Sequence, residues 1–93
     1  MRTKSLIAGL RNNQKIRVIC DGVGFVTTVA GAFDMVFTHQ RIAVCCVLGR
    51  LSFAIRDAVD LGKDVPRALG CRQRVYGPDN KIVDLDVQID LLT

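Results

Sequence analysis

Hydrophobic and polar residues alternate strictly in two parts of this chain, and in a third they recur at helical spacing. Ile16, Val18 and Cys20 alternate with Lys15, Arg17 and Ile19, which predicts a half-buried strand. Asp21-Gly22 follows, a pair suited to the two positive φ angles of a type I′ turn. The return strand is predicted from Val23 to about Ala30. In that register Cys20 faces Val23, Val18 faces Phe25 and Ile16 faces Thr27 on one apolar face. Lys15 and Arg17 then stand beside Thr28 and Val26 on the other. A second hairpin closes the chain. Val83, Leu85, Val87, Ile89 and Leu91 alternate with Asp84, Asp86, Gln88 and Asp90. Gly77-Pro78-Asp79-Asn80-Lys81 supplies the turn, with Pro78 and Asp79 right-handed and Asn80 left-handed. Val75 then faces Val83, Arg74 faces Asp84 and Arg72 faces Asp86, so the charges pair across the strands.

Between the hairpins the pattern changes. Leu51, Ile55, Ala58 and Val59 recur at three- and four-residue intervals, predicting an amphipathic helix with Ser52 as a cap and Gly62 past its end. Asp64 to Gly70, with Pro66 near its start, reads as one more helical turn. Residues 35–48 are rich in Val and Ile and favour a buried strand, with a helix capped by Thr38 as the alternative. Residues 5–11 read as a short N-terminal helix capped by Ser5 or Thr3 and stopped at Asn12-Asn13. The predicted architecture is a single small α+β domain over residues 1–93. It has a predominantly antiparallel sheet or small barrel, the N-terminal helix and one or two further short helices.

Size and composition narrow the function. Ninety-three residues make one domain with little room for a deep cleft. An apolar fraction of 49% excludes a disordered tail. The longest apolar run, Ile42 to Leu48, is far short of the ~20 residues of a membrane helix. With no secretory leader pattern at the front, a cytoplasmic protein without a membrane partner is expected. The formal charge of +4 is unevenly spread. Residues 1–50 carry Arg2, Lys4, Arg11, Lys15, Arg17, Arg41 and Arg50 against Asp21 and Asp34, whereas the rest of the chain is close to neutral. Lys15, Arg17, Arg41 and Arg50 are therefore the candidate basic binding surface.

Candidate chemistry is sparse. Cys20, Cys45, Cys46 and Cys71 include no C-x-x-C pair, and His39 is the sole imidazole, so the cysteines read as small buried hydrophobes rather than zinc ligands. Gly22-Val23-Gly24 lacks the third glycine and the following helix of a dinucleotide loop. No nucleophile has a recognisable catalytic context, and Asp84 and Asp86 are matched by arginines instead of forming an acid–base pair. No catalytic residue, cofactor or metal site is expected, and the protein is read as a non-enzyme.

Two nucleic-acid readings remain. Residues 5–37, with a helix, a bent hairpin and Gly31-Ala32-Phe33-Asp34, resemble part of the Sm/LSm family, which implies RNA binding. The family's glycine lies five residues before its Asp, whereas Gly31 is three before Asp34; Phe37-Thr38 occupies the Asn region, and the late Arg-Gly pair is missing. Helix 51–61 and the turn to Arg74, followed by a hairpin, could also form a winged helix-turn-helix with Arg67, Arg72 and Arg74 on the reading element. The reading placed first is an interaction or assembly protein, a homo-oligomer or a subunit of a larger particle. It is motivated by the small core, by apolar Ile19, Ile82 and Leu92 at outward positions, and by the complementary charge of the two halves. Its partner is another copy or another protein, with nucleic acid as the alternative.

Overall fold

The computed structural model describes residues 9–92. Its elements in chain order are β1 (Lys15–Cys20), β2 (Val23–Thr28), α1 (Val29–Ala32), α2 (Thr38–Leu61), β3 (Ala68–Tyr76), a 3-10 turn (Pro78–Asn80) and β4 (Ile82–Leu91). The strands form one antiparallel, open sheet in the order β2-β1-β4-β3. Each hairpin thus contributes one inner and one outer strand, and β1 and β4 join them at the centre. This is a small α+β fold with one long helix on a four-stranded sheet.

Both hairpins form in the register that alternation demands. Asp21 and Gly22 have φ of 50° and 83°, as a type I′ turn requires, and Cys20, Val18 and Ile16 face Val23, Phe25 and Thr27. In the second hairpin Val75, Arg74 and Arg72 face Val83, Asp84 and Asp86. Its turn differs in detail. Asp79 joins Asn80 in the left-handed region, with φ of 61° and 59°, which short polar side chains tolerate. The first return strand also ends early. Thr28 turns it into α1 by accepting a hydrogen bond from Gly31 N at 3.0 Å.

The helices depart most from expectation. Residues 38–61 are one continuous helix, so the strand expected over 35–48 is not formed; the alternative helix is, but its N-cap is Phe37, with no side-chain cap hydrogen bond, and the expected caps Thr38 and Ser52 both lie inside it. The residues turned inward are Ala43, Val44, Val47, Leu48, Leu51, Ser52 and Ala58, a 3.6-residue period that runs straight through Gly49. The run from Ile42 to Leu48 hides this period because Ile42 and Cys46, on the solvent side, are apolar too. Asp64–Gly70 is not helical. The chain is irregular to Arg67 and then extended, because Leu69 and Cys71 continue the alternation of β3 and Ala68 already pairs with Asp90. Of the N-terminal helix expected over 5–11, residues 5–8 lie outside the described residues. Gly9 is in a turn and Leu10 forms an isolated bridge, and the described helices all follow the first hairpin. The sheet is open, so the barrel alternative is not formed either.

One face of the sheet carries the core. Ile16, Val18 and Cys20 from β1, Leu85, Val87 and Ile89 from β4, and Val75 from β3 are buried with the inward residues of α2. The helix lies over β3 and β4, and Leu10, Val29 and Ala32 complete the core beside it. The opposite face has no layer over it among the described residues.

Candidate interaction surfaces

Strand alternation fixes what the open face presents. β1 contributes Lys15, Arg17 and Ile19, and β2 contributes Gly24, Val26 and Thr28. β4 contributes Ile82, Asp84, Asp86, Gln88 and Asp90, and β3 contributes Gly70, Arg72, Arg74 and Tyr76. Arg72 Nε donates to Asp86 Oδ1 at 2.9 Å and Arg74 Nε to Asp84 Oδ1 at 3.0 Å. Hydrogen bonding to Arg74 holds the Asp84 carboxyl below its ordinary range, and the same contacts push both guanidiniums up. Arg17 lies opposite Asp90. Asp21 sits at the margin, where its carboxylate accepts a hydrogen bond from Asp86 N at 2.9 Å. The cations of this face are therefore interleaved with carboxylates, and the face offers no field of one sign.

The four candidate cations do not share a surface. Lys15 and Arg17 are on the open sheet face, whereas Arg41 and Arg50 belong to α2 in the other layer. Nine residues apart on a helix of 3.6 residues per turn, Arg41 and Arg50 point to opposite flanks. Arg41 is half-buried and its Nη1 reaches Met35 O at 3.4 Å. The stretch that a winged helix-turn-helix would need as its recognition helix is loop and strand.

Three apolar features stand at the surface instead. Val36, Phe37, His39, Tyr76 and Pro78 line an uncharged groove at the far end of the second hairpin, with Val36 88% and Tyr76 71% exposed. On α2, Ile42, Cys46, Gly49 and Phe53 follow one another at four- and three-residue spacing along the solvent side. Across the open face, Gly24, Ile19, Gln88 and Gly70 form one row, and the absent side chains of the two glycines leave shallow troughs on either side of Ile19. Sequence reading missed this row because it needs the pairing of β1 with β4, which neither hairpin alone predicts. Its one visible signal was Ile19 on an otherwise polar face.

Burial pushes the Cys20 and Cys45 thiols up, with the charge of Asp21 adding to the first and Cys46 to the second. Cys45 Sγ reaches Ala32 O at 3.9 Å, and Cys71 Sγ accepts from Gln73 Nε2 at 3.0 Å. His39 lies beside the Phe37 ring, 6.2 Å between centroids. Among the described residues no group of three or more His, Cys, Asp or Glu side chains could hold a metal ion, and no helix is long and apolar enough to cross a membrane.

Comparison with protein-family models, curated proteins and solved structures finds no match.

Proposed function

We propose that this chain is a non-enzymatic interaction protein that assembles with copies of itself, alone or as a subunit of a larger particle. One observation carries the reading. Arg72 and Arg74 of the sheet are paired with Asp86 and Asp84 of the neighbouring strand and Arg17 lies opposite Asp90, while Val36, Tyr76, Val23, Phe37, Ile82 and Val26 are each more than half exposed. Exposed apolar groups in a charge-balanced surround favour contact with another protein surface over contact with phosphates.

Multi-angle light scattering on eluting full-length protein, with and without nuclease, tests this. A mass above 10.2 kDa that rises with protein concentration and is indifferent to nuclease is expected. A monomer at every concentration, or a complex that nuclease removes, would put nucleic-acid binding by the basic front half first.

A further inference from the structure

The two edges of the sheet are built differently. β3 carries Arg72 and Arg74 near its middle, both ion-paired to aspartates of β4, so a strand added there would lie against charged pairs. β2 reads Val-Gly-Phe-Val-Thr-Thr, with no charge and no proline, and among the described residues it has a strand on one side only. Such a segment combines β propensity with an open ladder.

Its hydrogen-bonding phase is fixed by the hairpin. Val29 N donates to Gln14 O at 3.0 Å, and alternation then turns the N–H and C=O of Val23, Phe25 and Thr27 toward β1. Gly24 and Val26 therefore present both backbone groups to the outside. Their side-chain positions share the open face, where a trough is lined by Arg17, Ile19, Gly22, Gly24, Phe25 and Val26. Val26 is 59% exposed beside it.

We propose that a second copy of this chain adds at the β2 edge, β2 against β2 and antiparallel, about a two-fold axis at Phe25. This rests on the self-assembly reading and names its surface. The spacing of the strand makes it self-complementary. With Phe25 opposite Phe25, Gly24 of each copy lies opposite Val26 of the other. These pairs exchange both backbone hydrogen bonds, and each Val26 covers the other copy's glycine trough. Val23 and Thr27 meet on the helix side, and an aromatic pair forms at the axis. No like charges oppose one another along the strand. The result is one continuous sheet with both long helices on the same side. The guarded β3 edges end the assembly at two copies.

A single pair of short strands lies at the small end of specific interfaces, below about 1,200 Å² in total, so a dimer that dissociates in the micromolar range is expected. The test is sedimentation velocity on the full chain, on Val26→Lys, and on Phe53→Lys as a control on the solvent side of α2. Amide exchange at Gly24 and Val26 is followed on concentrated and dilute wild type. Support is a wild-type dimer, a folded Val26→Lys monomer, an intact Phe53→Lys dimer, and protection at the two amides that appears only when concentrated. If wild type is dimeric but those amides exchange equally fast at both concentrations, or Val26→Lys dimerises as well, the β2 interface is wrong and self-assembly stands. If wild type stays monomeric at every concentration, both fail. The exchange measurement decides the matter even if Val26→Lys does not fold.

Discussion

Asp84 shows how far one side chain was legible before any coordinates. Alternation and the turn at Gly77–Lys81 together placed it opposite Arg74, and the two side chains meet at 3.0 Å. The depressed carboxyl pKa gives a pH signature whose sign is fixed. Its stabilising effect is complete above the ordinary carboxylate range near pH 4 and is lost as pH falls through the lower folded value. The pair is exposed, so the effect is small and screened by salt. Urea midpoints of wild type and Arg74→Gln should differ modestly at pH 7 in low salt and converge in acid, once the pH lies below the lowered folded value of Asp84. A gap that persists in acid would mean that Arg74 acts through packing instead. Arg17 and Arg50 were less legible. Each was recognisable as a cation, but their assignment to opposite layers depends on which segments become strand and which helix.

At the scale of elements, turns and alternating strands were readable, and the long helix was not. A hairpin is specified locally by its turn residues and a period of two. The helix at 38–61 carries its period across an apolar run and a glycine, so its two halves looked like different elements. Its glycines now give opposite expectations for one substitution. Gly49 is exposed mid-helix with nothing within 4 Å of an added Cβ, so Gly49→Ala should stabilise by roughly 0.5–1 kcal/mol. Gly62 ends the helix at φ 67°, so Gly62→Ala should cost about 1–2 kcal/mol. Thermal unfolding by circular dichroism checks both signs. A loss at Gly49 would show that helix formation there is opposed by something other than backbone entropy. The stretch from Asp64 to Gly70 was misread for a related reason, since capping residues and a proline describe a helix start equally well as a loop before a strand.

At the scale of the whole molecule, the decisive relation is between hairpins. Pairing of β1 with β4 joins the two halves into one sheet, gathers the charges of its open face into a balanced set, and leaves β2 and β3 as edges of unlike character. No local pattern announced that pairing, because it depends on how the helix closes over both hairpins. The function inferred here follows from it, since the uncharged edge and the exposed apolar groups favour contact between proteins. The most direct test is the weight-average mass by sedimentation as sodium chloride is raised from about 0.05 to 0.5 M. At protein concentrations well above the micromolar range, the account predicts a mass that stays near twice 10.2 kDa as salt rises, as apolar and backbone contacts do. Collapse to the monomer mass as salt rises would contradict it and make charge the force behind any association.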